Sequence, residues 1–319
     1  MNALYGHDEP WREWRAALGS ARMHHAWMLV GPKGLGKGEF ARQAAAQLVA
    51  EPGLSQPPLA MHPDILIPEH PPENKEEAKK REDGQEYRRK RAIPIDEIRA
   101  LQQRLNTRPT LGSRRAVIID PADDLEKNAA NALLKSLEEP PAGTVFLLVT
   151  HRPGRLLPTI RSRCRMVRFA PLADADVERV LRDAAPAADH STRAAAVAAA
   201  KGSPGAALDF VDQDLGKLHE LMRQLMTQGD EHFALRGAFA EELGARPDRE
   251  RQQATVDLAC AVVSAGLGSD RHRDERSIAA YTELVRLGGQ LPTYNFDPGL
   301  VAMEIGALLA SLAMPREAA

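Results

Sequence analysis

One glycine-rich segment, flanked by an apolar run and a helical pattern, constrains the fold of this 319-residue chain more than any other feature. Ala26–Val30 is a short apolar run closed by Gly31, which is typical of a buried strand. Residues 37–50 are rich in Ala, Gln and Leu and predict a helix. A strand, a glycine-rich loop and a helix in succession predict the first unit of a parallel sheet covered by helices.

The loop between that strand and that helix fits the phosphate-loop pattern G-x-x-x-x-G-K. Gly31, Gly34 and Gly36 leave room for backbone N–H groups to surround a phosphate, and Lys37 would reach the outer phosphates. The next position usually carries Ser or Thr, whose hydroxyl binds magnesium, but this chain has Gly38. Two alternatives therefore fit the sequence: a loop that binds ATP or ADP, and a loop that has kept its shape and lost the nucleotide.

A second strand pattern supplies the acid that a magnesium ion would need. Residues 115–120 are an apolar run that ends in Asp120. An ATPase of the DExx type has a water-activating glutamate at the next position, whereas this chain has Pro121, and Asp123 and Asp124 lie further into the turn. The loss of a positioned general base lowers a rate by about 10²–10⁴. Gly38 and Pro121 together predict that the chain's own ATPase activity is absent or weak.

The pattern of elements divides the chain into parts. Further apolar runs at 145–150 and 166–169 continue the alternation of strands and helices to about residue 170. Beyond Pro171 no strand pattern is evident: residues 174–182 and 191–201 predict two helices, and from Asp209 to the end apolar residues recur at every third and fourth position, which predicts further helices. We expect an α/β domain over 1–170, a small helical domain over 171–208 and a helical bundle over 209–319.

Residues 51–92 interrupt this alternation. Seven prolines between Pro52 and Pro72 leave room only for a short strand at 65–67. Residues 73–92 carry eight basic and six acidic side chains, a net charge of +2. Such a composition predicts a solvated, partly disordered insertion, and a basic arm that faces DNA is the alternative.

The overall composition excludes several classes of protein. Lys and Arg number 42 and Asp and Glu 44, and this net charge of −2 excludes a protein that coats nucleic acid by charge alone. Only 4% of the residues are aromatic, which favours an aliphatic, helix-rich core. The two cysteines, Cys164 and Cys260, make neither a disulfide framework nor a four-cysteine zinc site. No run reaches the ~18 apolar residues that span a bilayer, so we expect a soluble, cytoplasmic protein with no membrane partner.

Three segments carry a resemblance to a known family. Residues 131–141 read NALLKSLEEPP, Ser162-Arg163-Cys164 follows downstream, and residues 24–27 read HHAW just before the glycine-rich loop. Together they resemble the bacterial clamp-loader branch of the AAA+ ATPases. The resemblance implies an α/β P-loop AAA+ domain with a parallel sheet, followed by a small helical lid domain and an all-α C-terminal collar domain. Many relatives also hold zinc with four cysteines in the span that corresponds to 51–92, where this chain has none, so no zinc module is expected.

The resemblance also assigns roles to single residues. Arg163 matches the arginine finger, which reaches the ATP of a neighbouring subunit and stabilises charge on the transferring phosphoryl group; the alternative is an ordinary surface arginine. Thr150 matches the residue that senses the γ-phosphate, and the alternative is a residue that caps its strand. Gly205 stands where motor subunits have a nucleotide-sensing arginine. With Gly38 and Pro121, this third loss points to a family member that does not hydrolyse ATP.

The resemblance therefore implies a subunit of the DNA polymerase III clamp loader. It implies gamma/tau and delta subunits as neighbours in a five-part ring, with the sliding clamp and primed DNA as partners reached through the complex. No cofactor is certain; ATP or ADP in the degenerate loop is the candidate, and no zinc is expected. An ATP-hydrolysing motor subunit of the same loader is the alternative, which the lack of a long tau-like extension disfavours. A small P-loop nucleotide kinase is a third interpretation, against which the all-helical second half argues.

Overall fold

The computed structural model describes residues 4–20, 22–266, 271–291, 294 and 296–313. The chain forms two compact units: an α/β unit of residues 7–170, and a helical unit of residues 171–319 together with the first six residues. The further division of the helical part at residue 208 stays a prediction.

A five-stranded parallel sheet forms the centre of the α/β unit. The strands in chain order are β1 (Ala26–Val30), β2 (Ile65–Leu66), β3 (Arg115–Ile119), β4 (Thr144–Thr150) and β5 (Arg165–Arg168). Their spatial order is β2-β3-β4-β1-β5, and each neighbouring pair runs parallel. The alternation of apolar runs and helical patterns predicts this parallel sheet, and the structure confirms it.

The three central strands are apolar apart from Arg115 at the start of β3 and the threonines at the two ends of β4, because both faces of the sheet are covered. The register pairs Val30 of β1 with Thr150 of β4, and Ile119 of β3 with Leu148 of β4. The carboxyl ends of these parallel strands therefore lie at one edge of the sheet. The loops that follow the three strands start side by side at this edge, which is where open α/β sheets bind ligands.

Helices connect the strands, and their apolar faces complete the core of this unit. They are α1 (Asp8–Leu18), α2 (Lys37–Val49), α3 (Lys75–Glu82), α4 (Ile95–Leu105), α5 (Lys127–Glu138) and α6 (Pro158–Arg161). Trp11 and Trp14 lie three residues apart on α1 and are both buried, and the Trp14 ring packs edge-on against Trp27 of β1 at 5.3 Å. Most of the remaining core is aliphatic, as the low aromatic content predicts.

The insertion at residues 73–92 folds instead of being partly disordered. It forms α3 and a return segment in which the Glu73 N–H donates to the Arg88 carbonyl at 2.9 Å. The Glu77 carboxylate is buried and accepts hydrogen bonds from the Arg88 N–H at 2.6 Å and from the Lys80 ammonium at 2.7 Å. The prediction of partial disorder is wrong because α3 forms and the buried Glu77 carboxylate joins it to the return segment through hydrogen bonds.

The described part of the helical unit packs its helices around one apolar cluster, mostly of Ala, Leu and Val, that extends from Val177 to Leu312. The helices are α7 (Asp174–Ala184), α8 (His190–Ala200), α9 (Pro204–Asp212), α10 (Gly216–Gln228), α11 (Ala234–Leu243), α12 (Arg249–Ala265), α13 (Arg271–Gln290) and α14 (Pro298–Ala310). The apolar spacing predicts each of them except α9. Among the described helices of the whole chain, none is both long and apolar enough to cross a membrane.

Candidate functional site

The glycine-rich loop leads from the end of β1 into α2. Gly34 and Gly36 have φ angles of +83° and +78°, which residues with a Cβ rarely adopt. Gly36 is the N-cap of α2, and its carbonyl accepts the first helical hydrogen bond from the Phe40 N–H at 2.9 Å. The backbone N–H groups of the first turn of α2 are therefore available at a helix N-terminus, which favours anions. The loop keeps the backbone shape that binds phosphate.

Lys37 is turned back onto the loop itself. Its ammonium donates hydrogen bonds to the Gly31 carbonyl at 2.7 Å and to the Pro32 carbonyl, and the residue is only 2% exposed. Burial lowers the pKa of Lys37 from 10.5 to about 8, although the carboxylates of Asp120 and Asp123 oppose this shift. The lysine is thus bound to carbonyl oxygens of its own loop.

The space beside Gly38 is filled by other side chains. A Cβ on Gly38 would overlap with the Asp120 carboxylate and would lie 3.1 Å from the Arg42 guanidinium. Arg42 lies one turn further along α2 and pairs with Asp120 at 3.7 Å. Burial raises the pKa of Asp120, and the nearby cations of Arg42 and Lys37 oppose this rise. A side chain at position 38 would require the Asp120 carboxylate to move. Gly38 itself offers no hydroxyl, and the acid expected to bind magnesium is paired with a guanidinium, so the residues in this arrangement do not fit a magnesium–nucleotide complex.

Thr150 ends β4 and is fully buried. Its hydroxyl donates to the Asp123 carboxylate at 2.7 Å, and the same carboxylate accepts the backbone N–H of His151 at 2.6 Å and of Arg152 at 3.2 Å. Asp123 therefore ties the turn after β3 to the end of β4. The sequence gives Asp123 no specific role, and only the adjacency of the two strands reveals this one. Whether Thr150 senses a phosphate stays a prediction; in this structure its hydroxyl is bound within the chain.

His151 is a further residue at this edge of the sheet, and no sequence motif singles it out. Its Nδ1 is buried and has no hydrogen-bond partner among the described residues. Burial lowers the pKa of His151 from 6.5 to about 4, and the ammonium groups of Lys37 and Lys33 lower it further, whereas Asp123 opposes the shift. The imidazole is therefore neutral near pH 7.

The burial of neutral His151 predicts a loss of stability in mild acid. Between pH 6.5 and pH 4 the unfolded chain binds a proton at this histidine that the folded chain does not bind, so the free energy of unfolding falls as the pH is lowered through this window. The variant His151→Gln has no group that titrates there. Urea unfolding measures the free energy of unfolding at pH 7 and at pH 5. The decrease between these two pH values should be smaller in the variant than in the wild type. Equal losses in both proteins would contradict this assignment.

Arg163 lies in the turn between α6 and β5. Its Nη2 pairs with Glu138 Oε1 at 2.7 Å, and its Nη1 donates to the Thr159 carbonyl at 2.9 Å and to the Ser162 hydroxyl at 3.4 Å. The side chain remains 34% exposed. Cys164, the next residue, packs against the core, and burial raises the pKa of its thiol to about 12. Arg163 is thus held by its own chain and is still accessible from solvent.

Within the α/β unit, the structure brings most of the candidate site residues together and places Arg163 apart from them. The glycines of the loop, Lys37, Asp120 and Thr150 lie at the carboxyl edge of the sheet, whereas Arg163 contacts α5 and α6. Gly205 lies in α9 of the helical unit. Within the described ranges, no group of three His, Cys, Asp or Glu side chains could hold a metal ion.

Sequence comparisons match the α/β unit to known proteins. A family model described as "DNA polymerase III, delta subunit" matches residues 6–173. The chain is 39% identical over 173 residues to the delta-prime subunit of DNA polymerase III from Pseudomonas aeruginosa, covering 49% of this chain and 46% of that protein. It is 32% identical over 163 residues to the tau subunit from Salmonella typhimurium, covering 51% of this chain and 24% of that protein. The chain thus spans less than half the length of either relative.

A solved structure has the same fold. The DNA polymerase III gamma subunit-related protein from Thermotoga maritima superimposes with a TM-score of 0.52 and 19% sequence identity, over 95% of this chain and 99% of that chain. At this identity the likeness shows the fold alone, and it agrees with the predicted α/β domain with a parallel sheet followed by helices. The family model covers more than half of the chain, and the more similar of the two relatives above is a delta-prime subunit. The chain therefore belongs to this DNA polymerase III subunit family, on its delta-prime branch.

Proposed function

We propose that this chain is a delta-prime-like subunit of the DNA polymerase III clamp loader. It supports ATP-dependent loading of the sliding clamp onto primed DNA, and it supplies Arg163 as an arginine finger to a neighbouring motor subunit. The observation that carries the proposal is the Asp120–Arg42 pair, which takes the space beside Gly38 where a magnesium-binding hydroxyl would lie. A chain whose own loop lacks the magnesium-binding hydroxyl would contribute to the ATPase cycle of a complex at a neighbouring subunit's nucleotide site.

Turnover at the chain's own loop would need three groups. It would need a hydroxyl at position 38, a general base after Asp120, and a lysine extended toward the phosphates. Instead the chain has Gly38, Pro121 and a Lys37 ammonium bound to the loop carbonyls. The proposal allows ATP or ADP to bind without turnover, because the loop keeps its backbone N–H groups at the start of α2.

The chemistry assigned to Arg163 follows from the guanidinium group. This cation is planar, permanently charged and carries five N–H donors, so it can bind the oxygens of a transferring phosphoryl group while negative charge redistributes. Such a group does its work only where a neighbouring subunit's nucleotide can reach it. The exposed turn between α6 and β5 meets this requirement.

The proposed partners follow from the same assignment. They are the gamma/tau and delta subunits of the loader, with the sliding clamp and primed DNA reached through the complex, in the cytoplasm. An ATP-hydrolysing motor subunit is the second candidate, favoured by the similarity to a tau subunit and by the retained shape of the loop. The two candidate functions differ in one dependence. ATP hydrolysis by the complex depends on Lys37 if this chain is the motor subunit, and on the corresponding lysine of another subunit if it is not.

Replacing Lys37 by methionine separates them. The isolated chain should hydrolyse no ATP above background, and a loader reconstituted with Lys37→Met should keep its ATP hydrolysis and clamp loading within about twofold of wild type. Methionine keeps most of the apolar stem and removes only the ammonium. The corresponding lysine of the motor subunit is the matched control, and its replacement should abolish turnover. A tenfold or larger loss with Lys37→Met, in a loader that still assembles, would favour the motor alternative.

A further inference from the structure

We propose that Glu138 is a positioning residue for Arg163. Its carboxylate holds the guanidinium in the orientation in which the remaining N–H groups receive a phosphate oxygen of the neighbouring subunit's nucleotide. The inference rests on the proposed role of Arg163 as an arginine finger and adds to it the group that sets the finger's direction.

Two helices hold the same guanidinium. Glu138 is the last residue of α5, and its Oε1 lies 2.7 Å from Nη2 of Arg163. On the other side, Nη1 donates to the carbonyl of Thr159 in α6 at 2.9 Å. Because a guanidinium is rigid and planar, fixing both terminal nitrogens fixes the plane of the group. Its five N–H donors exceed the contacts made within this chain, so donors remain for an anionic oxygen.

The stability of α5 does not explain a carboxylate at this position. The C-terminus of a helix carries partial negative charge, so a cation is favoured there and a carboxylate is disfavoured. Both partners are also well exposed, Arg163 at 34% and Glu138 at 48%, and an ion pair in solvent adds little to the stability of a fold. Lys135 already provides the cation that the last turn of α5 favours. Glu138 therefore acts on Arg163 and not on its own helix.

Because Arg163 is oriented before the subunits meet, less conformational free energy is lost when it binds in trans. A free arginine side chain samples many rotamers, and ordering it when two subunits meet costs free energy. A side chain already bound by Glu138 and Thr159 samples fewer rotamers before assembly, so less of this cost remains when the subunits meet. A shift of about 1 Å in a catalytic group can lower a rate by about a hundredfold, so the orientation set by the carboxylate has a measurable consequence.

The experiment compares Glu138→Ala with Glu138→Gln in the reconstituted loader. Alanine should lower the rate of ATP hydrolysis in the presence of clamp and primed DNA about tenfold, with little change in the KM for ATP. Glutamine keeps an oxygen that accepts from Nη2 and should restore most of the rate. The matched control is Glu139→Ala, which removes the neighbouring exposed carboxylate and should leave the rate unchanged. Melting temperatures check that every variant is folded.

A double variant distinguishes positioning from an unrelated effect. If Glu138 acts through Arg163, Glu138→Ala combined with Arg163→Ala should be as slow as Arg163→Ala alone. Additive losses, or a rate above wild type for Glu138→Ala, would overturn the inference. A loss with Arg163→Ala but none with Glu138→Ala would refute the positioning role and leave the proposed function standing. Normal turnover with Arg163→Ala would refute the proposed function itself.

Discussion

Replacing Arg163 by alanine should slow ATP hydrolysis at the neighbouring subunit's site by about 10³–10⁵-fold, the range measured for arginine fingers supplied in trans. The expected loss is large because no other group in the turn between α6 and β5 presents the planar set of donors that a guanidinium carries. Clamp loading that depends on this hydrolysis should fall with it. Single-turnover ATP hydrolysis and loading of a labelled sliding clamp by the reconstituted loader measure the two effects.

Two further variants make the result specific. Arg163→Lys keeps the positive charge but loses the fork of donors, so it should recover only a small part of the rate. Arg161→Ala removes an exposed arginine two residues earlier, at the end of α6, and should leave the rate at wild-type level. Equal losses from Arg161→Ala and Arg163→Ala would indicate that the positive charge of this surface matters and not one finger.

The fold could be predicted where a local pattern determines it. β1, β3 and β4 stand out in the sequence because each contains an uninterrupted stretch of at least four apolar residues, as parallel strands covered on both faces do. The apolar spacing does not predict α9, although Ser203 and Pro204 at its start are typical helix signals. In the structure the Ser203 hydroxyl accepts the Ala206 N–H at 3.3 Å, and Pro204 takes the first helical position. Gly202 just before the helix and Gly205 within its first turn obscure the apolar spacing of α9.

The insertion shows a different limit of the sequence. Its high charge predicts disorder when charges are only counted. Buried Glu77 instead accepts hydrogen bonds from a side chain on α3 and from a backbone N–H eleven residues later. Pairing of this kind depends on how the return segment packs against α3, and residue composition carries no information about that packing.

The sequence predicts which catalytic groups the site lacks, but it does not predict which side chains occupy their places. Gly38 and Pro121 are visible in the sequence as departures from a motif. The helical period places Arg42 on the same face of α2 as Gly38. That the Asp120 carboxylate meets Arg42 there depends on the adjacency of β3 and α2 in the fold. The bond between Asp123 and Thr150 likewise joins loops after two different strands.

Replacing Asp64 by alanine should destabilise the α/β unit by about 3–5 kcal/mol, because it leaves a buried charge without its counterion. Asp64 lies just before β2 and is 1% exposed, and its carboxylate lies 3.7 Å from the guanidinium of buried Arg115. The same carboxylate accepts the backbone N–H groups of Thr110 at 2.7 Å and Leu111 at 2.8 Å. Alanine would leave these two donors unsatisfied.

Thermal unfolding and urea titration measure this loss, which should lower the Tm by about 10 °C. Asp64→Asn keeps an oxygen that accepts the backbone N–H groups but removes the charge, so it should lie between alanine and wild type. Asp96→Ala is the matched control, because Asp96 pairs with Arg99 at 3.3 Å on the surface, where both side chains are exposed, and its loss should cost less than about 1 kcal/mol. If Asp64→Ala cost no more than Asp96→Ala, the carbonyl oxygens of Arg104, Thr107 and Arg108, which also accept from Arg115, would be sufficient to hold the guanidinium. A larger loss of unfolding free energy in Asp64→Ala than in Asp96→Ala, which we expect, would show that Asp64 acts as the counterion of Arg115.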